Sequence, residues 1–234
     1  MLDRAEPALE ELESLCLQTG SRAVVPSGHL RIAAPADARI VFSAERLAKF
    51  LDLYPAISLE IYLSDDDVDL FSSGIDIAFC VGPIRDENLV ARRLVLAKRV
   101  VVASPACIKA HGLPKDVEAL SHYPCLASRG KEGVAVWPLV GPRGDATIKV
   151  TARLTINGMG SLIAAAKAGL GAALVSELYA AEDLAAGTLV RLVPKYCQDL
   201  GGIYAVYPNR RHPPAALRAF IDFVLGEAES ALTI

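Results

Sequence analysis

A chain of 234 residues has room for one large domain or for two lobes of about 100 residues each. Its 53% hydrophobic, 22% charged and 6% aromatic residues are the make-up of a folding globular protein, not of a disordered or fibrous one. The formal charge of −3, from 24 Lys plus Arg against 27 Asp plus Glu, disfavours a surface that grips a nucleic-acid backbone through many contacts.

At the start of the chain, Leu2, Ala5, Leu9, Leu12 and Cys16 step by three and four, a heptad seam with acids on the outer faces. Pro7 fits the first turn of such a helix, which places its start near Glu6. The seam reads either as the tail of a coiled-coil linker helix or as an amphipathic helix packed on its own domain. Gly, Ser and Pro then mark a linker, so residues 1–27 form a linker helix and linker. The same opening stretch carries acids where a signal peptide has basic residues and an apolar run, and no stretch is apolar enough to span a bilayer. A cytoplasmic protein with no membrane partner is expected.

From there strands and helices alternate. The patterns predict a strand over 30–34, a helix over 40–53, a strand over 58–64, a helical stretch over 66–72 and a strand over 75–81. A strand over 99–103 opens a second set: helices over 105–111 and 115–120, strands over 124–127 and 147–154, a helix over 159–168, a strand over 172–175 and a helical 177–185. An extended 189–193, a strand over 202–207 and a helix over 214–226 complete it. That last helix has Leu217, Phe220, Ile221, Val224 and Leu225 on one face. In the first set, short apolar strands between amphipathic helices imply a parallel sheet covered on both faces.

The stretches GHLRIAAP (28–35), LAKFLDLYPAISLEI (47–61), SSGIDIAFCVG (72–82), LVARRL (89–94), VVASPACIKAHGLP (101–114), SLIAAAKAGLGAALV (161–175) and YPNRRHPPAALRAFIDFV (207–224) follow one another along the chain. In this order they resemble the effector-binding domain of LysR-type transcriptional regulators. Each has a local reason: Pro55 ends a helix before a strand, Gly74 permits a helix-to-strand turn, and Gly169 and Gly171 close a helix before a buried strand. The resemblance implies an α/β fold of the type II periplasmic-binding-protein kind, two Rossmann-like lobes joined by two crossover strands. Lobe one is then 28–102 plus 206–234 and lobe two is 103–205, with crossings near 101–103 and 205–207. It also implies a small-molecule effector, a homodimer or a tetramer in the full-length protein, and DNA contact only through an N-terminal winged helix-turn-helix not seen in this sequence. The chain departs from many relatives at PADAR (35–39) and at Cys80, where arginine is frequent, so no relative's ligand is carried over.

In open α/β sheets ligands lie beyond the carboxyl ends of strands, against helix N-termini. This places ligand contacts at Ala36, Asp37 and Ala38, at Ser64 and Asp65, at Val81 and Gly82, at Val102, at Ser128 and Arg129, and at Asn157 and Gly158. Asp37 reads equally as a helix cap, and Arg129 also as a solvated loop residue. The run SDDDVDL (64–70) lacks the spacing of a calcium loop and suits a helix N-terminus. NGMGS (157–161) has Ile163 where a dinucleotide fingerprint needs its third glycine. The scattered His29, His111, His122 and His212 and the absence of nucleophile or metalloprotease motifs give catalysis no support, and no cofactor or metal is expected. Cys16, Cys80, Cys107, Cys125 and Cys197 form no C-x-x-C pair and read as reduced thiols, with a redox sensor as the alternative. A free-standing solute-binding protein of the same fold is the alternative to the regulator reading, and an enzyme is third.

Overall fold

The computed structural model describes residues 25–35, 42–64, 74–84, 86–209 and 213–231, with side chains to Gly226 in the last helix. The expected helix within residues 2–19 and the helical stretch over 66–72 lie outside the described residues. The strands are β1 Gly28–Ala34, β2 Ile57–Leu63, β3 Ile77–Val81, β4 Leu89–Val95, β5 Lys98–Ala103 and β6 Cys125–Ala127, followed by β7 Val134–Leu139, β8 Ala146–Thr155, β9 Ala172–Ser176, β10 Val190–Arg191, β11 Gln198–Asp199 and β12 Ile203–Pro208. The helices are α1 Ala44–Leu53, α2 Pro105–His111, α3 Met159–Lys167, α4 Ala181–Ala185 and α5 Ala215–Ala231, and a 3-10 turn spans Glu118–His122 where an α-helix over 115–120 was expected.

The chain divides into two compact units: one takes the described residues within Met1–Cys80, Ile84–Val95 and Tyr204–Ile234, the other Val81–Pro83 and Leu96–Ile203. The outward passage falls between Val95 and Leu96, earlier than an expected crossing at 101–103, because β5 pairs with β9, β10 and β11 inside the second unit.

The first unit is built on a five-stranded sheet of order β2-β1-β3-β12-β4, with β1 parallel to both β2 and β3. Leu30, Ile32, Ala33 and Ala34 of β1 are buried. Helix α1 starts at Ser43, whose hydroxyl accepts from the Arg46 amide at 3.3 Å, and stops before Pro55. Its buried Phe50 meets Phe220 of α5 edge-on, ring centroids 5.0 Å apart, and Phe223 at 5.2 Å; Phe42 meets the β3 residue Phe79 edge-on at 5.0 Å. On the exposed side of the β1–β2 pair, Glu60 accepts from Tyr62, His29 and Arg31, and these hydrogen bonds, that from Tyr62 foremost, hold its carboxyl below the usual range. Such a charged cluster protects the edge strand β2 against unwanted pairing.

The second unit is a seven-stranded sheet of order β10-β5-β9-β6-β8-β7, with β11 on β5. It is mixed: β6 runs parallel to β8 and β9, while β5 is antiparallel to β9, β10 and β11, and β7 to β8. Successive side chains go to opposite faces. Val101, Ala103, Cys125, Ala127, Ala172 and Leu174 pack on one face with Leu120, Trp137 and Leu139, while Val100, Val102, Leu126, Ala173 and Val175 meet α3 residues Leu162, Ile163 and Ala166 on the other. Both faces are covered, so residues 100–103, 125–127 and 172–175 of these strands are apolar at successive positions, the continuous runs read in the sequence. Three strands had no such signal. In β7, Ala135, Trp137 and Leu139 are buried between exposed neighbours, and Pro138, which donates no hydrogen bond, stands on this edge strand. Strands β4 and β11 are likewise at or near sheet margins.

Candidate functional site

In the second unit, β6 and β8 run side by side in the same direction, with Ala127 opposite Thr155 and the Ile156 amide donating to the Ala127 carbonyl at 2.9 Å. The chain therefore leaves both strands at one end of the sheet. Ser128 and Arg129 follow β6, the first half-buried and the second exposed; exposed Asn157 and half-buried Gly158 follow β8. These four expected contacts are brought to the same sheet end. Gly158 is the N-cap of α3, at φ −80° and ψ 120°, and supplies no side-chain acceptor to the first-turn amides. The N-cap residue itself therefore does nothing to offset the partial positive charge of that helix end.

In the first unit, β1, β2 and β3 share a direction, so their carboxyl ends also lie together. Half-buried Ser64 follows β2, its amide donating to the Ala34 carbonyl at 2.9 Å. Val81, the last residue of β3, is 46% exposed. Gly82 follows at φ +103°, a conformation that suits glycine, and a Cβ there would meet nothing within 4 Å. Ala36, Asp37, Ala38 and Asp65 lie outside the described residues.

Val102 does not fit the expected role. It is fully buried in β5, inside the apolar cluster beneath α3, and its side chain is a core contact with no surface for a ligand. An apolar residue at a chain crossing is indistinguishable in sequence from a lining one; pairing with Ala173 and Arg191 decides the matter. Ser104, next to the end of β5, is a buried polar residue that the sequence reading passed over, and its hydroxyl caps α2 by accepting from the Cys107 amide. The Ser-Pro pair at a strand end was its signal.

Beneath the second unit's sheet the Tyr123 hydroxyl donates to the Gly112 carbonyl at 3.0 Å, closing the end of α2, and accepts from the Cys107 thiol at 3.9 Å. Burial pushes the Tyr123 phenol well above its ordinary range and the Cys125 thiol up to about 12. Cys107, Cys125 and Cys197 are thiols not joined in a disulfide. Among the described residues no group of three metal-ligating side chains converges, and no helix is long and apolar enough to cross a membrane.

Paired α/β units whose parallel strands discharge their loops at common ends define the type II periplasmic-binding-protein class of fold. The comparisons with known proteins agree. The family model of the LysR substrate binding domain matches residues 24–229, and the chain belongs to that family. It is 31% identical over 221 residues to the HTH-type transcriptional regulator DmlR of Escherichia coli, covering 94% of this chain and 72% of that protein. An uncharacterized HTH-type transcriptional regulator of Haemophilus influenzae is also 31% identical, over 215 residues, with 91% and 70% covered. Among solved structures, the LysR-type regulator CrgA of Neisseria meningitidis superposes with a TM-score of 0.78 at 26% identity, covering 97% of this chain and 77% of that one. The full-length virulence activator AphB of Vibrio cholerae gives 0.74 at 30% identity, with 94% and 76% covered.

Proposed function

We propose that this domain is the sensing part of a LysR-type transcriptional regulator, and that it holds a small-molecule effector, without turning it over, in the cleft between two lobes that the family resemblance implies. Ser64, Val81 and Gly82 would contact the effector from one side, with Ala36, Asp37, Ala38 and Asp65; Ser128, Arg129, Asn157 and the backbone at Gly158 would contact it from the other. The observation that carries the reading is the gathering of Ser128, Arg129, Asn157 and the glycine-led start of α3 at one end of β6 and β8. Such an end favours an acceptor oxygen on the ligand.

Effector binding then shifts the balance between two arrangements of the lobes, tenfold for each 1.4 kcal/mol or so by which one arrangement is preferred. That change reaches DNA through a helix-turn-helix of the kind the relatives' names record. A regulator works where the chromosome is, in the cytoplasm. We propose a homodimer as its working form, in keeping with the exposed Leu51, Leu53, Tyr62 and Leu63 of the first unit. Light scattering at micromolar concentration returning a monomer would remove that part.

The test is a thermal-shift screen against small organic acids and aromatic metabolites, repeated on Ser128→Ala, Asn157→Ala and Asp37→Ala. A stabilising compound whose effect disappears in these variants, with their own melting temperatures intact, supports the site. Full responses in all three would overturn it.

A further inference from the structure

The chain passes between its two units at four points: Cys80 to Val81, Pro83 to Ile84, Val95 to Leu96 and Ile203 to Tyr204. All four lie within about two residues of a single run of backbone hydrogen bonds. The Gly82 amide donates to the Gly202 carbonyl at 3.0 Å, the Gly202 amide to the Leu200 carbonyl at 3.0 Å, and the Leu200 amide to the Ala97 carbonyl at 2.9 Å. The middle bond closes a three-residue γ-turn. Its central residue, Gly201, stands at φ +75°, the value of the rare and strained form of that turn. The Asp199 carboxylate accepts from the Gly201 amide at 2.8 Å and pins the turn from outside. Gly82, at the other end of the run, also has a positive φ, +103°.

Elsewhere in this unit the strands are locked by ladders of several hydrogen bonds and by side chains buried on both faces. Here two single bonds join three separate segments, that from Leu200 at the end of the short β11–β5 pairing, and a third closes the turn over exposed Gly201. A turn strained at one exposed position and tied to its neighbours by single bonds is the kind of element that opens locally as a unit.

We propose that Gly82, Ala97 and the Leu200–Gly202 turn form one clasp that opens and closes as a unit, and that the tip of β3 is therefore a third working part of the crossing region beside the two connecting strands. The consequence for sensing rests on the reading above: an effector held at Val81 and Gly82 pulls on the return connector through one hydrogen bond. The clasp itself does not need an effector.

Amide hydrogen exchange, read residue by residue by NMR on the isotope-labelled, effector-free chain, tests it, so its failure leaves the sensor reading to its own thermal-shift screen. The Gly82, Leu200 and Gly202 amides should share one protection factor and one response to low urea concentrations. Gly201→Ala, which forces a side chain into the left-handed region, should speed exchange at Gly82 about fivefold or more. Gly187→Ala, an equally left-handed position at φ +71° with open space for a Cβ, should leave all three amides unchanged. Gly82 exchanging as fast as an unprotected peptide, or following a different urea response from Leu200 and Gly202 in the parent chain, would overturn the clasp. So would a Gly201→Ala chain in which Leu200 and Gly202 speed up and Gly82 does not.

Discussion

Replacing Gly171 with alanine tests the packing argument at its tightest point. Gly171 joins α3 to β9, and a Cβ there would lie 2.6 Å from the Pro124 carbonyl oxygen, 3.0 Å from its carbon and 3.3 Å from the Cys125 amide nitrogen. These are backbone atoms of the segment entering β6, which no rotamer change can move. Restoring an ordinary contact of 3.4 Å requires the two strands to part by about 0.8 Å. The same Pro124 oxygen accepts from the Ala172 amide at 2.7 Å, and that movement lengthens the bond to about 3.5 Å, beyond useful range. Loss of a buried hydrogen bond costs about 1 kcal/mol, and crowding a packed core a further 1–3 kcal/mol or so. In a chain of this size each kcal/mol lowers the midpoint by about 2–4 °C, so Gly171→Ala should melt roughly 5–15 °C below the parent. The single tryptophan, Trp137, is 3% exposed in the same unit and reports unfolding by fluorescence. Gly226→Ala is the companion: a Cβ at this helical glycine meets nothing within 4 Å, and the change should stabilise by about 0.5–1 kcal/mol. A Gly171→Ala chain melting within about 2 °C of the parent would refute the reasoning.

In the first unit, Phe50→Ala removes a fully buried ring from the aromatic cluster and should cost about 3–5 kcal/mol in urea unfolding, whereas Ser43→Ala loses only the cap of the same helix, about 1 kcal/mol. Equal losses would show that the helix is held by its cap and not by its buried face. Cys125, whose thiol is pushed by burial up to about 12 from an ordinary 9.0, binds its proton more tightly folded than unfolded. Its contribution is therefore whole below about pH 9 and drains away as pH rises toward 12. Urea midpoints at pH 8 and pH 10.5 should fall less between the two values in Cys125→Ala than in the parent. At neutral pH the fully buried Cys125 and Cys107 should react with a disulfide reagent only once the chain is unfolded, as followed by mass spectrometry of their peptides.

The sequence by itself determined the elements whose side chains carry their own instruction. Residues 100–103 of β5, 125–127 of β6 and 172–175 of β9 are apolar in succession because both faces are covered, so they stand out in the sequence as short unbroken runs. Helix α1 announced itself by its stop before Pro55. The order of these signals was enough to show the family. It was also enough to put Ser128, Arg129, Asn157 and Gly158 at strand ends, since a ligand loop in such a sheet follows the strand that precedes it.

Only the tertiary structure decided what depends on a distant partner. Strand direction is one such matter: nothing in residues 98–103 says whether their neighbours run with or against them, and β5 proves antiparallel to all three. The edge strand β7, with Pro138 in it, is held by β8 and not by its own propensity. Val102 is apolar whether it lines a hollow or fills a core, and burial against α3 settles on the core. Gly82 and Gly202 lie far apart in the chain, and neither forecasts the other. Local patterns record which face of an element is buried, because burial acts on each side chain separately; pairing and register are properties of two segments at once, and only their meeting in space fixes them.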